Sequence, residues 1–154
     1  MQTLTKMLIK LNEQGRWLPG RIDKPTEKYG IYILLYKNQI IRIGETASGI
    51  ERIKRGFQQN KKRKNSSAYS WRLDYKNKNL SLQYFPLVNK YFKKPKIRRA
   101  LEAELTFQIR VYKKKWPIKM SEIHFLENQR KKKLMLEMLK KILVNYKITY
   151  NSEV

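Results

Sequence analysis

The chain contains no cysteine, which excludes disulfides, thiolate nucleophiles and thiolate metal sites. A single histidine, His124, removes every chemistry that needs two imidazoles, including HNH-type nucleases and His-rich metal centres. Aspartate occurs only at Asp23 and Asp74, so a catalytic cluster of several aspartates has no raw material. Apolar runs are short: none approaches the roughly 18 residues of a membrane span. Near the start, Lys6 and Lys10 interrupt the apolar residues, so no signal-type segment is expected. A cytoplasmic protein with no membrane partner is the resulting expectation.

Acid is the scarcest commodity relative to its opposite. There are 36 Lys and Arg against 12 Asp and Glu in 154 residues, a formal net charge of +24. Such a body repels itself and concentrates polyanions around it. The basic stretches KKRKN (61–65), KYFKKPKIRR (90–99) and VYKKKW (111–116) interleave cations with Tyr69, Trp71, Tyr91, Phe92, Tyr112 and Trp116. Cations of this kind neutralise phosphates, and exposed aromatics stack on bases. Taken singly, each run reads equally as a solvated face and each aromatic as core. The global excess points to nucleic acid, with RNA and DNA both open on charge alone. The C-terminal segment, basic at Arg130–Lys133 and apolar beyond, reads as a lid on the core in preference to a membrane-surface helix.

The length is that of one domain. Leu4, Met7, Leu8 and Leu11 recur at helical spacing and predict an N-terminal helix over 3–14, ended by Gly15. Residues 17–28, with Pro19, Gly20 and Pro25, read as a loop. YGIYILLY and IIRIG around KNQ predict a β-hairpin. A helix is expected over 50–58, a strand over 80–88, and helices over 96–112 and 128–146. The predicted class is α+β: a small antiparallel sheet of about three strands flanked by helices. The organisation is an N-terminal extension (1–28), a core (29–115) and a C-terminal helical extension (116–154).

Gly30-Ile31-Tyr32, nine residues, then Arg42-Ile43-Gly44 resembles the paired signature of the GIY-YIG nuclease superfamily. Both tripeptides fall on strands of one predicted hairpin, a helix follows, and Arg52 stands eight residues past Gly44. LEAELTF (101–107) resembles the family's metal-binding helix. The resemblance covers roughly residues 29–112 and implies a metal-dependent endonuclease using Mg²⁺ or Mn²⁺.

It also implies roles. Tyr32 would serve at the attacking water, as general base or its positioner; its phenol needs nearby positive charge to ionise. Arg52 would bind the non-bridging phosphate oxygens with its planar fork. Glu102 would hold the metal beside the leaving oxygen, with Glu104 the alternative: Glu104 falls within the apolar arc of Ile97, Leu101, Leu105, Ile109 and Tyr112, and Glu102 at its edge. Arg42 replaces the second tyrosine of the signature, where a cation would bind phosphate or lower the pKa of Tyr32. Gly56 occupies a position where many members have histidine, and the family's asparagine is not recognisable in KKKWPIKM. Tyr36 is a candidate to replace the missing phenol, with a structural role as the alternative. Arg55, Lys61, Lys62, Arg63 and Lys64 are the expected nucleic-acid contacts. Glu45, Thr46 and Ser48 read as helix-capping residues, with Glu45 also near enough in sequence to touch the site. His124, beside Ile123 and Phe125, reads as structural. The competing function is a catalytically degenerate nucleic-acid-binding module; a third is a protein-recruiting module using the C-terminal helix. A homodimer would suit double-strand cleavage.

Overall fold

The computed structural model describes residues 4–18, 27–57, 71–113 and 129–150. Four strands, β1 (Thr5–Lys10), β2 (Gly30–Tyr36), β3 (Gln39–Thr46) and β4 (Asn79–Pro86), form one antiparallel sheet in the order β1-β4-β2-β3. Three helices accompany it: α1 (Gly49–Phe57), α2 (Pro95–Lys113) and α3 (Gln129–Val144). The class is α+β, as expected.

β2 and β4 are the interior strands, and β2 is apolar on both faces, as a strand covered on both sides must be. Its even-numbered residues Tyr32 and Leu34 join Ile41, Ile50, Ile53, Phe57 and Tyr84 in a core beneath α1. Its odd-numbered residues Ile31, Ile33 and Leu35 face Ile97, Leu101, Leu105, Ile109, Met135 and Leu139 from α2 and α3. The sheet is thus sandwiched between one helix and two. Lys37 and Asn38, at φ 49° and 65°, make the two-residue hairpin turn between β2 and β3, the left-handed geometry that matches strand twist.

The N-terminal helix expected over 3–14 is instead strand β1, so this segment extends the sheet and is no helical appendage. Its apolar residues satisfy two periods at once. Met7, Ile9 and Leu11 alternate toward the α1 core, while Leu4, Met7, Leu8 and Leu11 also match a helix. Pairing with β4, from Thr5 opposite Tyr84 to Lys10 opposite Asn79, decides in favour of the strand and leaves Leu8 73% exposed. Tertiary pairing here overrides a short local pattern. Tyr112, expected on the apolar stripe of α2, is exposed at that helix's end. The expected contacts at Lys61–Lys64, and His124, lie outside the described residues.

α3 buries Met135, Leu139, Ile142 and Leu143 against the α2 face, and Tyr146 beyond it hydrogen-bonds Gln83 of β4. Among the described residues no helix is long and apolar enough to cross a membrane.

Candidate functional site

Tyr32 stands opposite Gly44 in the β2–β3 ladder, and its phenol lies directly over the Gly44 Cα. A Cβ there would collide with Tyr32 Cζ and Oη, so glycine is required by close approach. The same device repeats one strand away: Tyr84 lies over Gly30 and donates from its hydroxyl to the Glu27 carbonyl at 3.0 Å. Burial, reinforced by the Glu27 charge, pushes the Tyr84 phenol up, so it serves as a neutral anchor for the chain entering β2. The two signature glycines are therefore seats for two tyrosine rings.

Next to Gly44, at the end of the edge strand β3, polar groups gather. Glu102 of α2 is half-buried there and accepts a hydrogen bond from the Glu45 backbone N–H. An edge strand has backbone donors that its sheet does not satisfy, and Glu102 takes one of them. Desolvation, followed by the neighbouring Glu45 charge, pushes the Glu102 carboxyl up to about 7; Arg42 and Arg99 pull in the opposite direction. Glu45 is itself held: Arg98 Nε donates to its Oε2 at 2.8 Å. Arg98, almost fully buried, spends another donor on the Phe92 carbonyl at 2.7 Å and lies 5.0 Å from the Tyr29 ring centroid. One guanidinium therefore ties the start of α2 to the end of β3 and places a second carboxylate beside Glu102.

Glu102 and Glu104 are separated by this arrangement. Glu104 acts electrostatically on Tyr150 in the C-terminal segment, while Glu102 turns to β3. Arg42, half-buried on β3, is close enough for its charge to act on Glu102. Arg52 and Arg55 are both exposed on α1, three residues apart and hence on one side of the helix. Tyr32 belongs to the α1 face and Glu102 to the α2 face, so the two approach the end of β3 from opposite sides of the sheet.

Tyr36 pairs with Gln39 at the hairpin turn, the other end of β3 from Glu45, and so lies away from the Glu102 cluster. Gly56 is buried, and its carbonyl at the end of α1 accepts from Arg72 Nη1 at 2.7 Å. Thr46 is a connector, accepting from the Ser48 N–H at 3.1 Å where β3 turns into α1. Sequence reasoning missed Arg98 as the partner of Glu45. The signal available was a basic residue just ahead of LEAELTF, hidden in a run of cations.

Searches against family models, curated proteins and solved structures gave no match.

Proposed function

We propose that this protein is a divalent-metal-dependent endonuclease hydrolysing phosphodiester bonds in DNA. The observation that carries the reading is Glu102, held half-buried at the end of β3 beside Glu45 and within reach of the Arg42 and Arg99 charges. A carboxyl whose proton affinity is raised by burial and by a second carboxylate gains from a cation placed next to it.

These residues fit a hard divalent ion. Among the described residues no group of three or more His, Cys, Asp or Glu is gathered, so a cation there would be held by one or two carboxylates. That suits Mg²⁺, which keeps several waters and takes substrate phosphate as a ligand. When bound, the ion would supply charge stabilisation at the phosphate and the leaving oxygen.

The other parts follow from position and chemistry. Tyr32, with its hydroxyl end over Gly44, would orient or deprotonate the attacking water. Arg42 would bear on the phosphate, as its charge already bears on Glu102. Arg52 and Arg55 would hold the nucleic-acid backbone from the exposed side of α1. The net charge of +24 supports a polyanionic substrate.

A second reading is a binding module that no longer cuts. It is favoured by the buried Gly56, which provides no imidazole, and by the approach of Tyr32 and Glu102 from opposite faces. Incubation of labelled single- and double-stranded DNA with Mg²⁺ or EDTA, using the wild type and Glu102→Ala, separates the two. The endonuclease gives metal-dependent nicking that the substitution abolishes. Retarded but intact DNA with both proteins identifies the binding module.

A further inference from the structure

At the end of the sheet away from Glu102, three tight turns meet. One is the β2–β3 hairpin turn. The second runs from Tyr75 to Asn79, with Asn77 at φ 59°. The third, Asn12–Arg16, is closed by Asn12 Oδ1, which accepts from the Gln14 and Arg16 N–H groups at 2.9 and 3.0 Å. The last two are tied to one another: the Asn77 N–H donates to the Asn12 carbonyl at 3.1 Å, and Leu11 N–H to the Lys78 carbonyl at 3.0 Å. The backbone at this end is therefore fixed.

Two lysines converge on it. Lys37 Nζ lies 5.3 Å from the centroid of the Tyr36 ring, and Lys78 Nζ lies 5.2 Å from the same centroid. Lys78 is also 5.9 Å from the Tyr75 ring, which meets Tyr36 edge-on at 5.4 Å. Sharing one ring confines the two ammonium groups to within roughly 10 Å of each other, about the Debye length at 0.1 M salt. Neither has a carboxylate partner among the described residues, and Lys76 is exposed on the same turn. Like charges held this close and not ion-paired are costly alone and favourable when an anion lies across them. Beside them an open groove of about 540 Å³ is lined by Lys10, Asn12, Gln14, Asn77 and Asn79, with Glu13 as its one acid and Leu11 and Leu18 as its apolar wall. Its primary amides can hydrogen-bond sugar and base edges once a backbone is docked.

We propose that this turn end is a nucleic-acid backbone-binding surface, with Lys37 and Lys78 on phosphates and the amide groove alongside, separate from the Glu102 end. It shares with the proposed function the nucleic-acid partner but needs no cleavage.

The test is anisotropy of a fluorescent DNA duplex titrated with the full chain across a salt series. Wild type is compared with K37Q/K78Q and with K140Q/K141Q, which removes the same charge from the exposed side of α3. Removing two phosphate contacts reduces the slope of log affinity against log salt by roughly 2 and weakens binding about tenfold at moderate salt. The α3 pair is expected to leave both nearly unchanged. Equal slopes for wild type and K37Q/K78Q, or equal losses in both double variants, would overturn the assignment. So would unchanged DNA binding combined with lost binding to phosphatidylserine vesicles, which would make the surface a lipid site. Because the lysines are exposed, unfolding midpoints matching wild type confirm that the variants are folded. A wild type that binds with the expected slope and never nicks would remove the endonuclease reading and leave this surface in place.

Discussion

The two ends of one sheet deal with charge in opposite ways. At the Glu45 end, carboxylates and guanidiniums are interlocked: Arg98 holds Glu45, Glu45 presses on Glu102, and Arg42 and Arg99 offset that pressure. At the turn end, Lys37 and Lys78 rest on an aromatic ring and make no ion pair among the described residues, with Glu13 the one acid in the groove beside them. In a chain with three basic residues for every acidic one, acid is informative where it is spent. Two acids, Glu45 and Glu102, are spent at the end of β3, inside a half-buried cluster where charges act strongly on one another. The turn end has the features of contact: exposed, rigid, cationic and amide-rich.

If that contrast holds, substitutions at the two ends should fail in different ways. The largest effect is expected for Glu102→Ala, which should reduce metal-dependent nicking by on the order of a hundredfold or more while leaving DNA affinity within a few-fold of wild type. Gel assays of cutting and binding on the same preparations would check this. Next comes Arg98→Met. It leaves the half-buried Glu45 beside Glu102 without its counter-ion, and denaturant unfolding should show a loss of about 2–3 kcal/mol. Gly44→Ala should cost roughly 1–3 kcal/mol by driving a methyl into the Tyr32 ring, and the double variant Gly44→Ala/Tyr32→Ala should recover part of it. That coupling would fix the seat of Tyr32 independently of any activity.

A pH-dependent effect, absent at low pH, concerns Glu102 alone. Its carboxyl is raised from 4.5 to about 7, so the folded protein takes up a proton that the unfolded chain has released across that interval. The stability this group contributes is therefore greatest at low pH and is lost as pH rises through about 7, where the buried carboxylate must ionise. Glu102→Gln keeps an acceptor for the Glu45 N–H and removes that cost. It should unfold later than wild type at pH 8, with an advantage on the order of 2–3 kcal/mol, and match it near pH 4.5. Unfolding curves at the two pH values give the sign directly.

Much of the fold was legible because its periods are clean. GIYILLY and IIRIG around a short polar turn could only be a hairpin. Helices α1, α2 and α3 and strand β4 fall within about two residues of where their apolar spacing predicts them. β1 was not legible, since an edge strand with one buried face shows only a weak alternation, and four apolar residues in eight satisfy a helix equally well. At the site, the choice of Glu102 over Glu104 rested on a motif; the hydrogen bond that sets the two carboxylates apart, from the Glu45 N–H to Glu102, joins distant residues and left no local sign. The Arg98–Glu45 pair joins residues 53 positions apart, and nothing local announces it. Which face of the sheet Tyr32 occupies was likewise invisible, because β2 is buried on both sides and alternation carries no signal there.

The most direct test of the central assignment is Mn²⁺ binding by the full chain at pH 8, read from the loss of the free-ion paramagnetic resonance signal, in wild type and Glu102→Gln. The account predicts one saturable site in wild type that is weakened at least tenfold in the variant, with Mg²⁺ competing for it. Equal binding by both proteins, or none by a folded wild type, would contradict a cation held at Glu102.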